Sequence, residues 1–182
     1  MRIIGGAWRG RRLQAPPGAA TRPTSDRARQ AVFDMLLHAP WAGRGSVEGA
    51  AVLDAFAGTG ALGLEALSRG AATAAFLERD RAALAALRAN VAASGAGGRA
   101  RIVEGDALRP PRGTPCTLVF LDPPYGEALV PRALAALGAA GWLAPGALAV
   151  AELGREDPSP FAAPLVARLH GAARIEAARI GA

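Results

Sequence analysis

Lysine is absent from this chain, cysteine occurs once and histidine twice among 182 residues. A single cysteine, Cys116, excludes an internal disulfide and a cysteine-rich zinc site. At the head of the apolar run CTLVFL it reads as a small buried hydrophobe. His38 and His170 are far apart and lack metal-ligand spacing, so no metal is expected and both read as structural or surface residues. Nothing resembles a serine- or cysteine-hydrolase constellation. No aliphatic run approaches the roughly 20 residues of a membrane span, and MRIIGGAWRGRR lacks the long apolar segment of a secretory signal. A cytoplasmic protein with no membrane partner is expected.

The positive charge is entirely arginine. Its flat fork suits phosphate and guanine edges, but a composition heavy in Ala, Arg, Gly and Pro points to G+C-rich coding as the reason for choosing Arg over Lys. Coding does not explain where the arginines fall. Residues 1–30 carry seven of them (2, 9, 11, 12, 22, 27, 29) against one acid, Asp26, which is the whole of the formal +6; beyond residue 30 acids and arginines balance. A neutral body with a basic arm implies a polyanionic partner, nucleic acid first.

The length fits one domain with a small appendage. RIIGGAWRGRRLQAP reads as two short extended pieces around Gly5 and Gly6. TRPTSDRARQAVFDMLL reads as a helix start, with Thr24 or Ser25 as cap, Asp26 in the first turn, and an apolar face of Ala28, Val32, Phe33, Leu36 and Leu37. APWAGRGSVEG reads as a Gly- and Pro-containing linker. The expected division is a basic extension over residues 1–45 and a second unit over 46–182.

From there apolar strands alternate with helices. AVLDAF, ATAAFLERD, ARIVEGDA, CTLVFLD and GALAVAEL are predicted strands; LGLEALSRG, RAALAALRANVAASG and GEALVPRALAALGAAG are predicted helices. Short buried strands separated by helices indicate a parallel sheet covered on both faces. PLVARLH and AARIEAARI, joined only around Gly171, must form a hairpin, because so short a link cannot connect parallel neighbours. The predicted fold is α/β, Rossmann-like, with seven strands and the last one antiparallel.

Gly58-Thr59-Gly60-Ala61-Leu62-Gly63 follows the first strand and opens a helix, where glycines let backbone approach a ligand and the helix start offers unpaired N–H groups. Asp54, Glu78 and Asp106 stand at the ends of the first three strands. Any one of them is equally well read as a cap or a solvated loop acid. Three at successive strand ends point to a nucleotide-like ligand, with Glu78 placed to accept ribose hydroxyls. The fourth strand ends in Asp122-Pro123-Pro124-Tyr125, which offers nothing suited to hydride. It suits a planar amine instead. The Asp122 carboxylate and the Pro123 carbonyl can accept both N–H hydrogens and favour a pyramidal nitrogen whose lone pair faces a methyl donor. The prolines fix the backbone, and Tyr125 offers a ring for an unstacked base.

VLDAFAGTGALGLEALSRGA, LERD, EGDA and FLDPPY, behind MRIIGGAWRGRRL and TRPTSDRARQAVFDML, resemble the bacterial RsmD family over nearly the whole chain. The N-terminal block is the most specific part of the resemblance, since many AdoMet methyltransferases share the later motifs. The resemblance implies a class I AdoMet-dependent methyltransferase fold, S-adenosyl-L-methionine as cofactor, and methylation of a guanine N2 in 16S rRNA, on the small ribosomal subunit or its precursor. It implies that Asp54, Phe56, Gly58 and Gly60 surround the methionine end of AdoMet. Glu78 would hold the ribose, Arg79 would border the adenine, and Asp106 with Ala107 would contact the adenine edge. Asp122, Pro123, Pro124 and Tyr125 would hold the target base, and Arg9, Arg11, Arg12, Arg22, Thr24, Arg27 and Arg29 would face RNA. A monomer is expected. Read from its residues alone, the proline turn fits two other kinds of acceptor, adenine N6 or cytosine N4 in DNA and a protein glutamine amide. A non-catalytic RNA-binding assembly factor on the same fold is a more distant alternative.

Overall fold

Strands made of Val, Leu, Ala and Phe have no polar face to offer water, so they become stable only as the middle layer of a sandwich. The computed structural model, which describes residues 1–16, 26–124, 128–171 and 173–180, has that form. Its strands are β1 (Ala51–Asp54), β2 (Thr73–Glu78), β3 (Ala100–Glu104), β4 (Cys116–Leu121), β5 (Leu143–Gly154), β6 (Val166–His170) and β7 (Ala173–Ile180). Its helices are α1 (Asp26–His38), α2 (Ala61–Ser68), α3 (Arg81–Ser94) and α4 (Leu129–Ala139). The sheet order is β3-β2-β1-β4-β5-β7-β6. Pairing is parallel from β3 to β5, and β7 runs antiparallel to both β5 and β6. The reversed seventh strand follows from the hairpin at Gly171, which adopts the left-handed φ of 64°.

The two faces are packed by different elements. Val52, Ala74, Phe76, Leu118, Phe120, Leu148 and Val150 point into a core shared with α1, α2 and α3. The alternate residues Leu53, Leu77, Val119, Leu121 and Ala149 meet Val130, Ala133 and Leu137 of α4. Period-two alternation along each strand sends neighbouring side chains to opposite layers.

Residues 1–16 take part in the first of these cores. Their two extended pieces meet as an antiparallel bridge between Arg2 and Arg12 around a 3-10 turn at Gly6–Trp8. Ile3 and Leu13 are buried in the same cluster as the sheet. The predicted apolar face of α1 is buried at Ala28, Val32, Phe33 and Leu36, with Met35 added and Leu37 only half-buried. The expected caps Thr24 and Ser25 lie outside the described residues. The stretch after α1 is a folded turn more than a spacer: Ser46 Oγ donates to the Leu36 carbonyl at 3.0 Å, and Val47 is fully buried.

Candidate active site

Parallel strands align their carboxyl ends on one rim, and in this chain each of the five parallel neighbours carries an acid within two residues of its end. In sheet order these are Asp106, Glu78, Asp54, Asp122 and Glu152. Four were expected from the sequence. Glu152 was not, although the signal was there: GALAVAEL closes on an acid as the other strands do.

Asp54 ends β1 and is buried. Its Oδ2 accepts the Gly63 N–H at 2.9 Å. The cap position of α2 is Gly60, which has no side chain to offer, so the strand-end carboxyl satisfies one of the open N–H groups of the helix start. Burial pushes the Asp54 carboxyl up to about 8; the Gly63 hydrogen bond opposes this, while the charges of Asp122 and Glu78 add to it. These three acids therefore form one electrostatic cluster at the ends of β4, β1 and β2.

The glycine turn divides into packing and access. A Cβ at Gly63 would sit 2.4 Å from the Phe76 ring, and one at Gly60 would sit 2.5 Å from Leu87. Both glycines are needed to lay α2 against β2 and α3. Gly58, with φ at 54°, faces open space. Only there does the missing side chain leave room for a ligand. The turn is fastened by Glu78, whose Oε2 accepts the Gly58 N–H at 2.7 Å while Oε1 accepts the Arg79 and Asp80 N–H groups at 2.8 Å each. Oε1 is thereby saturated, while Oε2 retains lone-pair capacity for a further donor. Asn90 of α3 also holds the turn, donating to the Thr59 carbonyl at 2.9 Å and to the Gln14 carbonyl at 3.0 Å.

β3 stops at Glu104, so Asp106 stands two residues past the strand end. Its Oδ1 accepts the Leu108 N–H at 2.9 Å, which bends the chain out of the sheet. Its Oδ2 pairs with exposed Arg79 at 3.2 Å. Ala107 is buried and Phe56 half-buried. Asp122 directly follows β4; Pro123 is buried and Pro124 exposed. Tyr125, Arg22 and Thr24 lie outside the described residues.

Among the arginines expected to face RNA, Arg9, Arg11, Arg12 and Arg27 are exposed. Arg29 is not. Its side chain is wholly buried, paired with Asp26 at 2.9 Å and near Glu65 at 3.7 Å, and it donates to the Arg2 carbonyl. Helix periodicity puts residue 29 beside Val32 and Phe33 on the inner face of α1, so its charge is used internally. Glu65, equally buried, accepts the Ile4 and Gly5 N–H groups at 2.7 and 2.8 Å and the Arg69 guanidinium at 2.7 Å.

Cys116 is buried with its thiol pushed up to about 11 by burial, the behaviour of a core residue. Among the described residues no group of three or more His, Cys, Asp or Glu could hold a metal ion, and no helix is long and apolar enough to cross a membrane.

Comparison with known proteins places this arrangement. The family profile described as "Conserved hypothetical protein 95" matches residues 1–170. The chain is 44% identical over 162 residues to "Ribosomal RNA small subunit methyltransferase D" of Escherichia coli (strain K12), covering 88% of this chain and 78% of that protein. A solved structure of a hypothetical protein from Thermus thermophilus superposes with a TM-score of 0.78 at 31% identity, covering 99% of each chain. An RNA methyltransferase from Salinibacter ruber, solved with S-adenosyl-L-homocysteine, shares the fold at a TM-score of 0.62 and 18% identity, covering 87% of this chain and 94% of that one. The sheet is that of a Rossmann-like class I methyltransferase.

Proposed function

This chain belongs to the conserved hypothetical protein 95 family, that of the small-subunit rRNA methyltransferases D, and from that premise we propose that it methylates the exocyclic N2 of a guanine in 16S rRNA with S-adenosyl-L-methionine as donor. The observation that carries the reading is the neighbourhood of Asp122-Pro123-Pro124 and the Asp54–Glu78 glycine turn, on adjacent strand ends of one rim. A cofactor with a sulfonium and an ammonium suits Asp54 and Glu78, the first of them buried with a raised pKa. When bound, it supplies an electrophilic methyl group.

The remaining work belongs to the protein. The open side of Gly58 admits the methionine portion against backbone, beside Asp54, Phe56 and Gly60. Glu78 holds the ribose through the open site of Oε2, Arg79 borders the adenine, and Asp106 with Ala107 meets its edge. The Asp122 carboxylate and the Pro123 carbonyl accept the two N2 hydrogens, so the lone pair leaves conjugation with the ring and points toward the donor. Asp122 is also the nearest base for the proton that the nitrogen must lose. Pro124 stiffens the turn, and Tyr125 supplies a stacking surface for the base. Arg9, Arg11, Arg12, Arg22, Thr24 and Arg27 of the basic extension (residues 1–45) engage the RNA backbone. Such a substrate, free rRNA or a precursor particle, puts the reaction in the cytoplasm.

Labelled transfer to small subunits or rRNA lacking the modification tests the proposal, with duplex DNA and protein as competing acceptors. The expected product is N2-methylguanosine. Label only in DNA or protein would overturn the assignment. Asp122→Ala is expected to lower kcat by roughly 100-fold or more while leaving cofactor affinity, read by calorimetry, nearly unchanged. Loss of cofactor binding in that variant would remove Asp122 from its assigned role.

A further inference from the structure

We infer that Glu152 is the residue that selects guanine, by accepting the ring N1–H beside the N2 amine held at Asp122; this rests on the guanine-N2 reading above. β4 and β5 pair in parallel with Phe120 opposite Val150 and Leu121 opposite Ala151. One step further, Asp122 and Glu152 are neighbours across the strand ends. Side chains two apart share a face, and Phe120 and Val150 both lie in the core beneath α1 and α2. The two carboxylates therefore emerge side by side on that face, above a narrow crevice lined by Val32, Leu62, Phe120 and Ile175. A second groove, of about 160 Å³, runs past Pro123, Pro124 and Leu129. Among the described residues, Glu152 alone lines both. It stands where a planar group held at the proline turn would present its next edge atom.

Two adjacent acceptors fit an edge carrying two adjacent donors. Among the standard bases only guanine has a ring N–H next to an exocyclic amine. Adenine and cytosine present a ring nitrogen lone pair beside the amine, and a glutamine amide presents its carbonyl oxygen. Each would set an acceptor against the Glu152 carboxylate. A hydrogen bond to a charged group that is replaced by two facing acceptors loses both the bond and the solvation of the groups. The proline turn alone handles any planar amine; the carboxylate at the end of β5 makes the edge specific.

The test replaces the mapped target guanine with 2-aminopurine in a ligated rRNA. This base keeps the N2 amine but has a lone pair at N1. Wild-type protein is expected to form N2-methylguanosine and to have a kcat/KM on the 2-aminopurine RNA roughly 10- to 100-fold lower. Glu152→Gln, whose amide can donate to that lone pair as well as accept from N1–H, should narrow the ratio. Glu152→Ala, with no group to read N1, should bring the ratio close to unity. The ratio is internal to each preparation, so incomplete folding of a variant cancels. Ratios in both variants equal to wild type would overturn the role of Glu152 and leave the guanine-N2 reading standing. Wild-type protein that forms no N2-methylguanosine would overturn the reading itself.

Discussion

Asp54 shows how a residue can be chosen for a charge that its surroundings oppose. Its carboxyl is removed from water and faces two other acids, and one backbone N–H does not compensate, so the group titrates near 8 in place of its ordinary 3.8. A carboxyl whose folded pKa lies above the unfolded one binds its proton more tightly in the folded protein. Its contribution to stability is then fully present below about pH 4 and is lost as pH rises toward about 8. Asp54→Asn keeps an oxygen for the Gly63 N–H but cannot ionise. The variant is expected to lose less stability than wild type between pH 5 and pH 8, as measured by urea unfolding of the ligand-free protein at both values. Equal losses would mean that Asp54 does not titrate in this window. The same linkage explains why a cationic ligand suits the site: positive charge beside Asp54 restores the ionised form that burial disfavours.

At the scale of elements, α2 joins the glycine turn to the N-terminal segment. It is buried along its whole length, with the sheet on one side and residues 3–8 on the other. Glu65 stands among its apolar neighbours as the acceptor for the Ile4 and Gly5 N–H groups and the partner of Arg69, with Arg29 close by. Removing one partner from a buried ionic group leaves the other charges uncompensated, at a cost of about 3–5 kcal/mol. Glu65→Ala is therefore expected to destabilise the fold by about that amount in denaturant unfolding and to raise amide exchange at Ile4 and Gly5. A change below about 1 kcal/mol, the scale of exposed pairs, would show that the segment is held by its other contacts, Ile3 and Leu13 in the core and the Trp8 and Gln14 hydrogen bonds.

This network also marks the limit of what the sequence alone carries. The strands were legible because continuous apolar runs have few other uses, and the reversal of β7 because a hairpin link leaves no choice of direction. The strand-end acids were legible because the rim is fixed by topology. Arg29 and Glu65 were not: they lie 36 positions apart in the sequence, and nothing local in DRARQ or ALGLEAL announces that each is the other's neighbour. By sequence, Arg29 thus reads as one more member of a basic arm. Glu152 escaped because its meaning depends on register with Asp122, which strand patterns alone do not set.

For the whole molecule, the consequence is a basic surface slightly different from the one the sequence suggests. Arg29 is internal, and Asp26 partly offsets Arg2 at 3.8 Å. Arg9, Arg11, Arg12 and Arg27 remain exposed, and Arg99, just before β3, joins them by lying over the Trp8 ring at 5.2 Å. Trp8 is itself anchored by its backbone N–H to Ser68 Oγ at 2.9 Å, and the Arg11 guanidinium reaches the Ala93 carbonyl. Residues 8–12 are thus pinned to α2 and α3 and present their charges from a fixed platform, a geometry that favours phosphate contacts in a defined register over loose attraction. Each phosphate contact releases counterions, so the logarithm of RNA affinity should fall linearly with the logarithm of salt, by about 0.7–0.9 per contact. Arg11→Ala/Arg12→Ala removes two exposed charges without touching Arg29 or Glu65. It is expected to reduce the slope by roughly 1.4–1.8 in binding titrations between about 50 and 200 mM salt, while cofactor affinity stays constant. An unchanged slope would show that neither Arg11 nor Arg12 meets a phosphate and would leave RNA contact to Arg9, Arg27 and Arg99.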